Sequence, residues 1–178
     1  MAQSLQQRAT RANAVPAGVA AGIVGAVMLV QALLRSILSI FSTLVFSGGF
    51  GVGDLYAGSV FAPVGGFFVE VGTNVLPVAL GVFFAFWLLV PLTADLRVPR
   101  VALRSLVAAA VGSAVALVFT AVYSGWGVLF GGGDFFYNSA STVQSALYTF
   151  VSIVPLVMLA GFLAWFWVSK GRPRASAL

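Results

Sequence analysis

The chain alternates long apolar runs with short stretches that hold nearly all of its charge. Ala12 to Leu34 has no charged residue, and after Arg35 the apolar pattern resumes from Ile37 to Phe46. Val71 to Ala94 is charge-free around an unbroken apolar centre from Val75 to Leu92. Ser105 to Tyr123 and Gln144 to Val168 are two further runs of this kind. About 20 apolar residues in helical conformation cross the hydrocarbon layer of a bilayer. The pattern therefore predicts an all-α integral membrane protein, a four-helix transmembrane bundle with spans at about 15–46, 71–94, 102–124 and 144–168. These spans make one membrane domain, 15–169, between an N-terminal segment, 1–14, and a tail, 170–178.

Composition agrees. Hydrophobic residues make up 61% of the chain and charged residues 7%, against about 25% charged in a soluble domain. So few charges cannot cover a water-facing surface, and the lipid bilayer is the solvent these runs require. Arg8 and Arg11 ahead of an apolar stretch resemble the start of a signal peptide. The run is longer than the usual ~7–15 residues and no small-x-small site closes it, so a retained anchor is expected.

The charges also predict a direction. Arg8 and Arg11 precede span one, Arg97, Arg100 and Arg104 lie between spans two and three, and Lys170, Arg172 and Arg174 follow span four. Only Asp95 opposes them, whereas Asp54, Glu70 and Asp134 fall on the other side with no Lys or Arg. Positive residues resist translocation, so both termini are expected in the cytoplasm and the chain in a cell (cytoplasmic) membrane. Trp87, Trp165 and Trp167 fall near the inner ends of spans two and four, as interface anchors would. The net charge of +5 thus reflects insertion rather than nucleic-acid binding, which would need a larger basic surface with stacking aromatics. The short basic segment around Arg97 and Arg100 suits anionic headgroups instead. Eight of the nine basic residues are Arg, and Ala, Val and Gly abound, a composition that suggests a bacterial genome rich in GC.

The two outer loops resemble each other. Phe46-Ser47-Gly48 followed by Gly53-Asp54-Leu55-Tyr56 matches Tyr123-Ser124-Gly125 followed by Gly133-Asp134-Phe135-Phe136-Tyr137. Each loop precedes a span with an early proline, Pro77 or Pro155. Each of those spans then carries a glycine, an alanine and an aromatic pair, Gly81, Ala85, Phe86, Trp87 against Gly161, Ala164, Trp165, Phe166. This order suggests two tandem helical hairpins, a parallel repeat about an axis along the membrane normal; coincidence in Gly- and Phe-rich sequence is the alternative. Small residues recur every four positions in span one (Ala14, Gly18, Gly22, Ala26) and in span three (Ala108, Gly112, Ala116). Such stripes let helix backbones approach closely in lipid. Helices one and three are therefore expected at the centre, with the bulkier spans two and four more exposed to lipid. The same stripes would equally serve a homo-oligomer.

Little conventional chemistry is available. The chain has no His and no Cys, which removes the commonest general base, thiolates and the usual metal ligands. No cofactor, metal or enzymatic role is expected. Arg35 stands out, interrupting the longest apolar stretch. Measured from Val15 it lies ~30 Å along the helix and snorkels to outer headgroups. Measured back from Phe46 it lies ~16 Å deep, where an arginine faces a partner or a cavity. Glu70 is its expected partner, Asp54 the next, and Ser36, Ser39 and Thr43 follow at helical spacing. Asp54 and Asp134 occupy matching loop positions; they either gather a cation or, more simply, close Gly-rich turns. Thr73, Asn74, Gln144, Thr149 and Ser152 cluster outside Pro77 and Pro155 and either line a shallow outward-facing polar vestibule or satisfy one another, while the prolines either break their helices at a transport site or serve plain helix packing. The Gly-rich loops lack the strand, helix and lysine of a phosphate loop.

Two functions follow. The first is a structural or accessory subunit, or an interaction protein, of a larger membrane complex. The second is a small transporter or channel whose polar site comprises Arg35, Glu70, Asn74 and the acidic loops of Asp54 and Asp134.

Overall fold

The computed structural model describes residues 11–46, 62–93, 96–131 and 135–170, and every regular element among them is helical. Four rods follow in order: α1, Arg11–Phe46; α2, Ala62–Leu89; α3, Val98–Gly131; and α4, Phe135–Lys170. Each holds a stretch of 28 to 30 residues long and apolar enough to cross a membrane. At about 1.5 Å per residue these stretches are longer than a ~30 Å hydrocarbon layer is thick.

α2 departs from the expected span at both ends. It starts at Ala62, nine residues earlier than the charge-free run, so Glu70 is a helical residue and not part of an outer loop. A charge does not end a helix when the side chain has a partner, which Glu70 has in Arg35. The helix stops at Leu89 rather than near Ala94 because Val90 leaves helical geometry (φ −135°, ψ 62°). Pro91 follows, and the residue before a proline is pushed out of the α region. Within α2 the backbone widens into π turns at Val71–Val75 and Ala85–Leu89. The first comes just ahead of the buried Pro77, whose ring would crowd the carbonyl four residues back in an ordinary α turn. The Leu76 N–H reaches back to Val71 O instead. Pro16 and Pro155 sit inside α1 and α4 without ending them.

The helices pack as a ring in chain order, each against its two neighbours, with α1 and α3 diagonally opposed. This corrects the expectation that helices one and three meet at the centre. The small residues of α3 face α2: a Cβ added at Gly81 would lie 2.7 Å from the Cα of Gly112, and one at Gly112 would lie 3.0 Å from Val82 Cγ2. In α4, a Cβ at Gly161 would run into Ser105 Oγ and come within 3.3 Å of Phe86 Cζ. On α1 the buried positions are Pro16, Ala17, Ala20, Ala21, Val24 and Ala32, while Gly18, Gly22 and Ala26 face outward. The expected stripe is thus the exposed one. α2 is the most enclosed span, with Val78, Val82, Ala85 and Phe86 fully buried, while its Leu76, Leu80, Phe84 and Leu89 are exposed. The reason is fit. Small residues on α1 and α3 leave room for a bulky neighbour, and α2, lying between them, fills it.

Polar contacts fix the ends. Arg104 Nη1 donates to Pro91 O, tying α3 to the end of α2, and at the other end the Ser124 and Thr142 hydroxyls meet at 3.2 Å. Trp87 and Trp165 pack against the core with their indole N–H groups buried and unpaired among the described residues. Trp167 is exposed.

Candidate functional site

The first π turn and the charge it follows shape a cavity of about 170 Å³ walled by α1, α2 and α4. At about 30 Å³ per liquid water, it has room for on the order of five waters. α1 contributes Met28, Gln31 and Arg35, and α2 contributes Glu70, Asn74 and Val75. From α4 come Ser145, Tyr148, Thr149 and Ser152, with Ile153 and Leu156 below them. On every wall the residues recur three to four apart, so each helix turns one face to the space. The lining changes along the bundle. Arg35, Glu70 and Tyr148 lie toward one end, while Met28, Val75 and Leu156 lie about two turns deeper and are apolar.

Arg35 Nη1 donates to Glu70 Oε1 at 2.8 Å, closing an ion pair between α1 and α2. The side chains are 59% and 29% exposed. The pair is therefore a half-open feature of the cavity wall and not a core salt bridge. One contact joins the two groups, so among the described residues most guanidinium donors and the second carboxylate oxygen remain available to something else. Beside it, Ser36 Oγ donates to Pro63 O at 3.0 Å, a second tie between the same helices. A narrow polar crevice extends from the cavity toward α3, sharing Asn74, Ser145 and Thr149 and adding Thr120 and Thr142.

Of the residues expected to form a site, Arg35, Glu70 and Asn74 are brought together. Asp54 and Asp134 lie outside the described residues. Thr149 and Ser152 join the cavity, but Thr73 turns back to Val69 O at 2.8 Å and Gln144 points outward. Of the expected Ser36, Ser39 and Thr43, Ser36 reaches α2, Ser39 is exposed with its backbone carbonyl accepting from Ser42 Oγ at 2.9 Å, and the Thr43 side chain lies outside the described residues. Sequence reasoning missed Gln31, Ser145 and Tyr148. The signal was present. Gln31 is one turn before Arg35, and Ser145, Tyr148, Thr149 and Ser152 share one face of α4 at i, i+3, i+4, i+7 spacing. Among the described residues no group of His, Cys, Asp and Glu could hold a metal ion.

In chemical terms, the site offers a cation, an anion, two amides and several hydroxyls around a small space with an apolar floor. Comparison with known protein families, with characterised proteins and with solved structures gives no match.

Proposed function

We propose that this chain is a multi-pass protein of a cell membrane that takes up a small polar solute at the Arg35–Glu70 cavity, as the outward-facing binding step of a transporter. The observation that carries the reading is the ion pair on the wall of a water-sized space between three apolar helices. Arg35 and Glu70 interrupt otherwise apolar helices, and ionisable residues in such helices usually face a cavity or one another. The inner half supports a gated transporter over an open channel: Val82, Ala85, Phe86, Val101 and Ala164 are fully buried there, and nothing as wide as a hydrated ion passes such packing.

The proposal has a direction. Arg11, Arg97, Arg100, Arg104 and Lys170 gather at one end of the helices, and that end is assigned to the cytoplasm by the positive-inside rule. Arg35 is then about 36 Å from Arg11 along α1, at the outer edge of a ~30 Å hydrocarbon layer rather than its midplane. The bacterial origin and the tandem-hairpin ancestry belong to the same proposal. The ring order of the helices fits two hairpins side by side, although Gly81 and Gly161 both pack on α3 rather than at matching interfaces.

The test is solute flux into liposomes. Entry of a small charged solute that disappears in Arg35→Ala, in protein of unchanged helix content, supports the reading; flux insensitive to that substitution refutes the site. A second reading, an accessory subunit or homo-oligomer, has its own support. The exposed small-residue face of α1, Gly18, Gly22 and Ala26, is the kind of surface on which another helix packs closely. Mild-detergent purification that yields a fixed complex, broken by Gly22→Leu, would favour it.

A further inference from the structure

We infer that the cavity selects a zwitterion, a small ligand with an oxyanion and an ammonium a few bonds apart. This rests on the proposed binding role and names the class of ligand.

The reasoning starts from charge. Arg35 and Glu70 face the same space and neutralise each other through one contact of 2.8 Å. A bare anion drawn to Arg35 would have to compete with Glu70 and leave that carboxylate uncompensated beside it. A bare cation on Glu70 would strand Arg35 in the same way. The pair is half-open, so supplying only one new partner costs less than in a dry core, but it still leaves the second charge unpaired beside the ligand. A zwitterion avoids the penalty, since its oxyanion takes the guanidinium donors and its ammonium takes the carboxylate. The exchange keeps every charge paired and leaves the site neutral overall.

The neighbours suit both ends. Tyr148, Ser145 and Ser152 can donate to an oxyanion, and the side-chain carbonyls of Gln31 and Asn74 can accept from an ammonium. Size is compatible: about 170 Å³ accommodates an amino acid or a headgroup. Two sources have this chemistry. One is a free amino-acid-like solute. The other is a phosphoethanolamine-type lipid headgroup, which would lie at this depth with its chain start on the apolar floor of Met28, Val75 and Leu156.

The experiment measures binding to the full chain in nanodiscs of phosphatidylglycerol by calorimetry. The probes are β-alanine and glycerophosphoethanolamine, whose phosphodiester and ammonium balance, with acetate, inorganic phosphate and ethylammonium as controls of one sign of charge. A parallel arm adds phosphatidylethanolamine to the nanodisc and reads retained lipid by native mass spectrometry. Saturable binding of a zwitterion, free or lipid-borne, with the controls at least about tenfold weaker, is the expected result. Retention of the lipid with no binding of the free probes assigns the source to the bilayer; binding of the free probes assigns it to solution. Arg35→Ala and Glu70→Gln should each weaken the zwitterion by about tenfold to a hundredfold, the range for losing a hydrogen bond to a charged group. The swap Arg35→Glu with Glu70→Arg keeps the pair and should keep zwitterion binding, which guards against misfolded single variants. Inorganic phosphate or acetate binding as tightly as the zwitterions overturns the inference while leaving a polar-solute site in place. Binding of no probe, free or lipid-borne, that depends on Arg35 and Glu70 overturns both.

Discussion

Replacing Gly81 with alanine would drive a methyl into the backbone of α3. The added carbon would lie 2.7 Å from Gly112 Cα and 3.2 Å from both Gly112 N and Val111 O. Ordinary carbon contacts are about 3.5–4.0 Å, so α2 and α3 must part by about 1 Å. None of those atoms is the end of a flexible side chain, and the separation cannot be avoided by a rotamer change. A gap of that size forfeits a quarter to a half of each affected contact. With about fifty atom pairs of about 0.15 kcal/mol each across the interface, the loss is about 2–4 kcal/mol, of the order of overpacking elsewhere. Alanine's better helix propensity returns about 1 kcal/mol, leaving a net destabilisation of about 1–3 kcal/mol. Gly22→Ala is the matched control. Nothing lies within 4 Å of its added carbon, so it should be neutral or about 0.5–1 kcal/mol more stable. The measurement is reversible unfolding of both variants in mixed micelles by increasing sodium dodecyl sulfate, followed by loss of near-ultraviolet circular dichroism. If Gly81→Ala unfolds at the same detergent fraction as the parent, or if Gly22→Ala is the weaker protein, the packing of α2 between α1 and α3 is wrong.

Three further outcomes are expected. Phe86→Ala, which empties the largest fully buried side chain, should cost about 3–5 kcal/mol in the same unfolding assay, and Phe86→Leu much less. Gly161→Ala should destabilise the α3–α4 contact, and adding Ser105→Gly should restore most of the loss, because Ser105 supplies both the nearest oxygen and one of the carbons at 3.3 Å. The chain has no cysteine, so single cysteines report topology directly: Gly132→Cys should react with an impermeant maleimide on intact cells, and Ser176→Cys only after lysis; the reverse pattern would invert the assigned direction.

Arg35→Ala and Glu70→Gln, used above to test binding, should leave the fold nearly intact. The arginine is more than half exposed, and ion pairs so open contribute about 0–1 kcal/mol to stability. A large loss of stability in either variant would mark the pair as a structural tie between α1 and α2, on a par with the Ser36 bond to Pro63 O.

The run lengths by themselves determined the four helices, because a charge-free stretch of some twenty residues has one stable conformation in lipid, with every backbone hydrogen bond closed within the segment. The same logic picked out Arg35, since an unpaired charge in such a stretch is improbable energetically, and nominated Glu70 as the scarce opposite charge. It failed where a helix tolerates what a counting rule forbids. Glu70 was excluded from α2 because it is charged, yet once its carboxylate meets a guanidinium the helix runs through it. Which faces turn inward was not legible either. Stripes of small residues state that something can come close, but not what. Gly112 took up α2, whereas Gly18 and Gly22 stayed on the outside. That choice depends on matching volumes across helices far apart in the chain, and so does the cavity. Its polar residues are spread over α1, α2 and α4, and only the ring order of the bundle, with the π turn ahead of Pro77, brings Asn74 and Glu70 opposite Gln31, Arg35 and Ser152.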